Sequence, residues 1–298
     1  MTLFAIVVTY NGMQWYDRCL GSLQQSDVPV RIVVIDNAST DGTPQYIAEH
    51  FPDVHLIKSD VNLGFAKANN IGIRYAMDNG ANYVLLLNQD AWLNSTDTIS
   101  RLLGSSSMSD NIGIVSPMHL DGAGTSIDWQ FVTCLPGKMV SDMYFGSMSG
   151  EYDVEFINAA AWLVSMDCIR KVGGFDTSMF VHYGEDNNFC HRVLYHKYRI
   201  VVNTSCSISH DRETRKKDEK QYREAHFRQN DLSERINWAN PLFDIDMDKH
   251  IAQVKHSIRK AKFKLCLFKA AQLKRTLDFY KKVKESRRLN MQGGTNWL

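Results

Sequence analysis

Three apolar runs in the first ninety residues, each followed by small polar or acidic residues, constrain the fold more than any other feature. They are Phe4–Val8, Arg31–Asp36 and Tyr83–Leu87, and each has the length and aliphatic content of a buried strand. The segments between them have helical periodicity, and strands that alternate with helices indicate a largely parallel, doubly wound sheet. Ligands bind such sheets at the carboxyl ends of the strands. The sequence therefore predicts an α/β fold with one polar binding site at that edge.

Periodicity and turn residues predict further elements. Helices are expected at Trp15–Leu23, Thr43–Glu49, Ala66–Met77 and from Glu185 onward, and short strands at Val54–Ile57 and Arg199–Val202. Ser, Gly, Met and Asp accumulate between Gly104 and Gly150, so this region is predicted to be mostly loop. Regular segments at Gly113–Ser116 and Glu155–Met166 would bracket it. Beyond Pro241 the helical period dominates to the end of the sequence.

Composition and cysteine spacing limit the class of protein. With 298 residues, 44% hydrophobic and 22% charged, the chain suits one large domain, or one domain plus an appendage, of a soluble globular protein. Its six cysteines include no C-x-x-C pair, which argues against a structural zinc site and a secreted disulfide framework. No basic leader with a cleavage site precedes the first strand, and no apolar run approaches the ~20 residues needed to cross a bilayer. We therefore expect a cytoplasmic protein.

Charge is divided unevenly along the chain. Between Lys255 and Arg288 thirteen Lys and Arg stand against two acids, a net charge of +11, so the remainder carries −10. Apolar residues recur there at helical spacing and would form one stripe: Val254, Ile258, Ala261, Leu265, Phe268, Ala270, Leu273, Leu277 and Tyr280. A basic amphipathic helix favours peripheral contact with the inner face of the cell membrane. The alternative is a helical bundle packed on the body or on a partner. No nucleic-acid partner is expected, because no recognition motif accompanies the charge.

Seven short motifs follow one another over about residues 3–212. They are Val7–Asn11, Val34–Gly42, Asn62–Ala66, Asn69–Gly72, Leu87–Asp90, Gly173–Asp176 and Gly184–Asp186. In this order they resemble the inverting, family 2 type glycosyltransferases, most of all the branch with bacterial rhamnosyltransferases and galactofuranosyltransferases. The resemblance implies the GT-A fold, a Rossmann-like and mostly parallel mixed sheet that takes nucleotide-diphospho-sugars. We expect that domain over residues 1–240 and a basic helical region over residues 241–298.

The resemblance implies a nucleotide-sugar site at the ends of the first strands. Asp36 matches the acid that contacts the nucleotide base in relatives, with Thr9 and Asn11 at the floor of that pocket. The expected set is Thr9, Tyr10, Asn11, Asp36, Asn37, Ser39, Asn62, Gly64, Asn69, Asn88 and Gln89. The alternative for Asp36 and Ser39 is that they only cap the following helix.

The turn at Asn62 and Gly64 leads into a helix N-terminus, where free N–H groups favour an anionic diphosphate. Many relatives have Arg at the position of Asn69, although this branch commonly has Asn. Less charge neutralisation can therefore come from this helix, and more must come from a metal.

A metal site is implied at Leu87–Asp90, which matches the family's D-x-D position with an amide, Asn88, in place of the first acid. A departing diphosphate needs a hard cation held by oxygen ligands, so Asp90 is assigned to Mg²⁺ or Mn²⁺. His210 completes the metal shell in some relatives, and neutral imidazole suits Mn²⁺. The alternatives are a strand-ending turn at Asp90 and a structural role for His210.

Inverting transfer needs a base that takes the proton of the acceptor hydroxyl. By resemblance that base is Asp186, with Glu185 as the second candidate or an acceptor contact; the alternative is two acids that cap a helix. Asn158 and Trp162 are expected on the acceptor side, and Trp162 could equally belong to the core.

Two functions follow from these assignments. The first is an inverting, metal-dependent transferase that uses a dTDP- or UDP-linked sugar, such as rhamnose or galactofuranose. Its acceptor would be a hydroxyl of a glycan or lipid-linked saccharide in bacterial surface-polysaccharide synthesis. The second is an inactive relative that holds nucleotide or glycan for a partner enzyme, which the amide at Asn88 favours. A dehydrogenase is disfavoured, because no G-x-G-x-x-G follows the first strand.

Overall fold

A computed structural model describes residues 1–107, 111–180, 183–214 and 231–298 of the chain. Its strands are β1 Leu3–Thr9, β2 Arg31–Asp36, β3 His55–Lys58, β4 Tyr83–Asn88, β5 Ala91–Leu93, β6 Ile112–Asp121, β7 Glu151–Asp153, β8 Ala161–Ser165 and β9 Arg199–His210. Its helices are α1 Tyr16–Gln24, α2 Thr43–His50, α3 Gly64–Asp78, α4 Thr98–Ser107, α5 Trp129–Val132, α6 Gly137–Tyr144, α7 Met166–Val172, α8 Glu185–Tyr195, α9 Met247–Phe263 and α10 Leu267–Gln292.

The strands form one mixed sheet in the order β3-β2-β1-β4-β8-β6-β9-β5, and β7 pairs with β9. The first four run parallel to one another, whereas β8 runs antiparallel to β4 and β6. The carboxyl ends of β1, β2 and β4 therefore lie at one edge of the sheet. Because β8 is reversed, its first residue lies at the same edge.

Apolar cores cover both faces of the sheet. Along β1 the side chains alternate between the faces, so that Phe4 and Ile6 join one core while Ala5 and Val7 join the other. Burial on both sides explains why these strands are continuously apolar. The strands and helices expected between Phe4 and Leu87 are all confirmed, with ends that differ by a few residues.

The expectation for residues 104–150 is wrong in part. The regular segment predicted at Gly113–Ser116 lies within β6, but this strand has ten residues and continues to Asp121, and α5 and α6 lie where a loop was predicted. Pro117 hides the second half of the strand in the sequence, and pairing with β8 and β9 on its two sides supplies what local propensity does not. The segment predicted from Glu155 becomes regular only at β8, and the predicted last strand continues to His210 as β9, which has twelve residues.

The helices α9 and α10 form a hairpin whose base packs on the body. At the base, Met247 and Val283 share a small core with Met179 and Phe180. Most of the predicted apolar stripe packs within the hairpin, as the alternative of a helical bundle expects. Leu265 and Phe268 are exceptions and are exposed. The division of the chain at residue 240 stays a prediction. None of the helices in the described ranges has the length and apolar character that a bilayer crossing requires.

Candidate active site

The end of β1 is held by the side chain of Gln89. Its Oε1 accepts hydrogen bonds from the Thr9 Oγ1 hydroxyl at 3.1 Å and the Tyr10 amide at 2.9 Å, and its Nε2 donates to the Tyr10 carbonyl at 3.2 Å. Thr9 is fully buried and also contacts the Tyr16 hydroxyl, whereas the Tyr10 side chain is exposed. Gln89 and Thr9 therefore position this strand end, and Tyr10 is the side chain that a ligand could meet.

The loop after β2 forms a second set of contacts at the same edge. Ser39 Oγ accepts a hydrogen bond from the Asn11 amide at 2.9 Å, and Asn11 Oδ1 accepts one from the Thr40 amide at 2.8 Å. Asp36 is buried, and its Oδ2 accepts from the Ser39 amide at 3.2 Å. Asp36 Oδ1 has no hydrogen-bond partner within the described residues. A buried carboxylate oxygen of this kind calls for a donor, such as an imide N–H or a ribose hydroxyl of a nucleotide.

The start of α3 is tied to β2 through Asn37. The Asn37 side chain accepts from the Leu63 amide at 3.2 Å and donates to the Gly64 carbonyl at 3.3 Å. Asn62 is exposed, and its Oδ1 accepts from the Gly64 amide at 2.9 Å. Gly64 has φ +77°, a conformation that favours glycine. The buried Asn69 donates to the Phe65 carbonyl at 3.0 Å, so its amide serves the helix itself.

Asp90 and His210 meet where β5 pairs with the end of β9. The pairing of Ala91 with His210 brings Asp90 Oδ1 to 3.5 Å from His210 Nε2, and Asn88 Nδ2 lies 3.5 Å from the same nitrogen. A carboxylate oxygen facing an imidazole nitrogen fits the preferences of Mn²⁺. No group of three His, Cys, Asp or Glu able to hold a metal occurs in the described ranges. This pair would thus leave most coordination positions to substrate oxygens.

Asp128 and Arg212 belong to this cluster and were missed by the sequence interpretation. Asp128 is buried at the start of α5, and its Oδ2 lies 3.4 Å from His210 Nδ1 and accepts from Arg212 Nε at 2.7 Å. Burial alone would raise the pKa of Asp128, but the hydrogen bonds from His210 and Arg212 hold that pKa well below its ordinary value. Asp128 lay in the supposed loop, and only the polar run around His210 could have pointed to Arg212.

The first turn of α8 carries the candidate base, and Gly184 precedes it. Gly184 has φ +85°, and a Cβ there would lie 2.9 Å from Leu232, so glycine is required. Asp186 is half-buried, and its Oδ1 accepts from the Asn187 amide at 2.8 Å. Burial raises the pKa of Asp186 to about 6, against hydrogen bonds from backbone amides that lower it, including that of Ala159. A carboxyl with this pKa is ionised at neutral pH yet basic enough to accept a proton.

Glu185 is more deeply buried than Asp186. Its Oε2 has no hydrogen-bond partner within the described residues, and burial followed by the charge of Asp186 raises the Glu185 pKa to about 7. Its burial leaves the Glu185 carboxyl less accessible to an acceptor hydroxyl than the half-buried Asp186.

We expect Glu185→Gln to stabilise the protein at pH 8 but not at pH 4. A carboxyl whose pKa is higher in the folded state favours folding below its ordinary value of 4.5, and this contribution is lost as the pH rises through about 7. Removing the buried charge should raise the free energy of unfolding at pH 8 by on the order of 2 kcal/mol. Urea unfolding at both pH values measures this, with the exposed Asp167→Asn as control. Equal effects at the two pH values would contradict it.

The two residues expected on the acceptor side differ in exposure. Asn158 is half-buried, and its Oδ1 has no hydrogen-bond partner among the described residues. Of the two positions left open for Trp162, the acceptor side and the core, the core is the one observed. Its side chain is fully buried and packs against Phe175 and Phe189, with ring centroids 6.2 and 5.7 Å away. Trp162 therefore belongs to the core beneath the site. Side chains alternate between the two faces of β8, and that of Trp162 points toward the helices that cover the sheet.

Backbone contacts link the parts of the site. The Asn88 amide donates to the Ala160 carbonyl at 2.9 Å, just before β8, and the neighbouring Ala159 amide bonds Asp186. The Asn37 amide donates to the Thr9 carbonyl at 2.8 Å. Asp36, Asp90 and Asp186 are the carboxylates assigned to the nucleotide, the metal and the acceptor hydroxyl. They therefore lie along one edge of one sheet, as a shared cleft requires.

Comparison with known proteins agrees with this architecture. Residues 4–127 match the model of glycosyl transferase family 2. The chain is 28% identical over 209 residues to the N-acetylglucosaminyl-diphospho-decaprenol L-rhamnosyltransferase of Mycobacterium tuberculosis, covering 61% of this chain and 66% of that protein. It is 25% identical to the dTDP-rhamnosyl transferase RfbF of Shigella flexneri, over 67% of this chain and 65% of that one. Agl10, a hexosyltransferase of low-salt glycan biosynthesis in Haloferax volcanii, is 28% identical over 54% of this chain and 52% of its own. The chain thus spans between about half and two thirds of these relatives.

Solved structures share the fold. The mannosyltransferase PcManGT from Pyrobaculum calidifontis, in complex with GDP-Man and Mn²⁺, superposes with a TM-score of 0.57 at 18% identity, over 97% of this chain and 86% of that one. Residues 1–349 of S. aureus TarS, in complex with UDP-GlcNAc, give a TM-score of 0.54 at 16% identity, over 72% and 59% of the two chains. The fold expected from the motifs is confirmed. Residues 4–127 are thus similar to glycosyl transferase family 2, and the chain has the GT-A fold followed by C-terminal helices.

Proposed function

We propose that the chain is an inverting, metal-dependent glycosyltransferase of cell-surface polysaccharide synthesis. Its donor is a dTDP- or UDP-linked sugar, and its acceptor is a hydroxyl of a glycan or lipid-linked saccharide at the inner face of the membrane. One observation carries the proposal: Asp36, the Asp90–His210 pair and Asp186 lie along one edge of the sheet. The names of the Mycobacterium and Shigella relatives, both rhamnosyltransferases, support a rhamnosyl donor.

In the proposed reaction Asp186 takes the proton of the acceptor hydroxyl. The hydroxyl oxygen then forms its bond to the anomeric carbon, while the bond from that carbon to the diphosphate oxygen breaks and its electron pair leaves with the diphosphate. Attack from the face opposite the leaving group inverts the anomeric configuration. Asp36 orients the donor through the nucleotide, which keeps the anomeric carbon within reach of the acceptor.

Asp90 and His210 are the residues that would hold Mg²⁺ or Mn²⁺. A bound cation supplies charge stabilisation to the leaving diphosphate. Asp128 Oδ2 lies 3.4 Å from His210 Nδ1, on the opposite side of the ring from Asp90, and so favours the orientation in which Nε2 faces Asp90. Asn88 brings no charge, and the guanidinium of Arg212 contributes positive charge to the same cluster.

We expect Asp36→Ala to weaken nucleotide binding by about 10-fold to 100-fold, since a buried acceptor is lost where the base or ribose binds. Calorimetric titration with dTDP, UDP and GDP, each with and without Mn²⁺, measures the affinity and identifies the nucleotide. Asp53→Ala removes an exposed acid and is the matched control. Equal nucleotide affinity in the two variants would contradict the assignment of Asp36 to the nucleotide.

A binding module that serves a partner enzyme is the second candidate. The amide at Asn88 and the two-residue Asp90–His210 pair favour it, because both reduce the charge available to a metal. Nucleotide binding without sugar transfer or donor hydrolysis, across a panel of activated sugars, would favour this module over the enzyme.

A further inference from the structure

The far end of the helical hairpin exposes four large apolar side chains within six residues. Phe263, Leu265, Leu267 and Phe268, here called the apolar tip, are 90%, 82%, 71% and 78% exposed. They surround the turn between α9 and α10, where Leu265 has φ +53°. Such a concentration of exposed apolar area is rare on a protein that meets only water. The apolar tip therefore indicates a contact surface.

The surroundings of the apolar tip are basic. Residues 249–277 contain nine Lys or Arg and no Asp or Glu. Lys262, Lys264 and Lys269 lie next to the apolar side chains in sequence and are exposed. A surface with apolar residues at its centre and cations around it complements a bilayer with anionic headgroups. A second copy would bring the same positive charge and be repelled.

The hairpin presents the apolar tip at a distance from the body. Within α10 the tip begins at Leu267, and the buried anchor Val283 lies sixteen residues further on, which is roughly 24 Å along the helix. The base is fixed firmly: Arg287 donates to the Asn240 and Phe243 carbonyls, and Ser286 Oγ donates to Asp176 Oδ2 at 2.5 Å. The apolar tip is therefore carried on a rigid arm.

The base of the hairpin also contacts Gly184, which precedes the candidate base Asp186. A Cβ at Gly184 would lie within 3.1 Å of Leu232, Phe180 and Ile236, and these three side chains belong to the small core of the hairpin base. A surface that holds the apolar tip would thus fix the orientation of the turn that carries Asp186.

We propose that the apolar tip inserts into the headgroup region of an anionic bilayer and that the surrounding lysines attract it there. The inference deepens the proposed function, on which it rests, because a lipid-linked acceptor resides in such a bilayer. It differs from the amphipathic-stripe prediction, since most of the stripe is used within the hairpin and only the turn and adjacent residues remain for lipid.

The test uses the full chain and sedimentation with vesicles of phosphatidylcholine, alone or mixed with phosphatidylglycerol. We expect binding to the mixed vesicles only, and about tenfold or more weaker binding when all four residues of the apolar tip are changed to Ser. The control is Tyr144→Ser with Phe145→Ser, an exposed aromatic pair in a segment, residues 139–169, that contains no Lys or Arg. Cys266 is exposed within the tip and takes an environment-sensitive dye, whose emission should shift to the blue on vesicle binding.

Several results would overturn the inference. They are no binding to mixed vesicles, equal binding by the tip variant, or binding without a dye shift, which would indicate adsorption by charge alone. Association of the wild-type chain with itself or with an acidic protein, but not with vesicles, would also overturn it. Nucleotide titration of the tip variant separates the two proposals. Intact nucleotide affinity with lost vesicle binding supports the tip, whereas vesicle binding by a chain that binds no nucleotide contradicts only the proposed function.

Discussion

Asp186→Asn is expected to reduce sugar transfer by about 1,000-fold or more while nucleotide affinity stays within about twofold of wild type. The amide keeps the shape of the side chain but cannot accept the proton of the acceptor hydroxyl, and general-base catalysis contributes about 10²–10⁴-fold. Nucleotide affinity is kept because Asp186 is not among the residues assigned to the nucleotide. Single-turnover transfer with saturating donor measures the chemical step, and calorimetry with the nucleotide diphosphate measures binding.

The pH dependence provides an independent check on Asp186. Only the ionised carboxylate accepts a proton, and the Asp186 pKa is raised to about 6, so kcat/KM should rise with pH through about 6 and then level off. Glu185→Gln should cost less activity than Asp186→Asn, and the exposed Asp167→Asn should leave the rate unchanged. Near wild-type transfer by Asp186→Asn, or a larger loss in Glu185→Gln, would transfer the role to another group.

Asp90→Asn is expected to lower transfer about 100-fold or more and to weaken Mn²⁺ binding in the presence of nucleotide diphosphate. The change removes the negative charge that faces His210 Nε2 at 3.5 Å, and Asn88 supplies none in its place. Electron paramagnetic resonance of Mn²⁺ measures the metal affinity directly, apart from activity. Asp53→Asn is the control, because it changes an exposed acid just before β3, at the amino end of that strand.

Asp128→Asn refines that experiment. Asp128 contacts His210 Nδ1 and Arg212 but lies behind the imidazole, so its loss should weaken Mn²⁺ binding less than Asp90→Asn, by about 10-fold. If both variants bound Mn²⁺ like the wild type, the Asp90–His210 pair would not be a metal site.

Strands read from local sequence were correct where the sheet buries both faces. The run Arg31–Asp36 is predicted and observed with the same ends, because a doubly covered strand must be apolar throughout and a polar residue must end it. The second half of β6 was missed for the opposite reason. Pro117 and His119 do not suggest a strand, and the neighbours that make one possible, β8 and β9, come more than forty residues later.

The sequence by itself determined the parallel sheet and its polar edge, because local periodicity and turn residues are short-range signals. The resemblance of its motifs to a known family pointed to the acids that lie there. Only the tertiary structure decided that Asp128 and Arg212 join His210, that Trp162 is core, and that the basic helices hide most of their apolar stripe while exposing its turn. These outcomes depend on which distant elements come into contact, and no spacing within one segment encodes that.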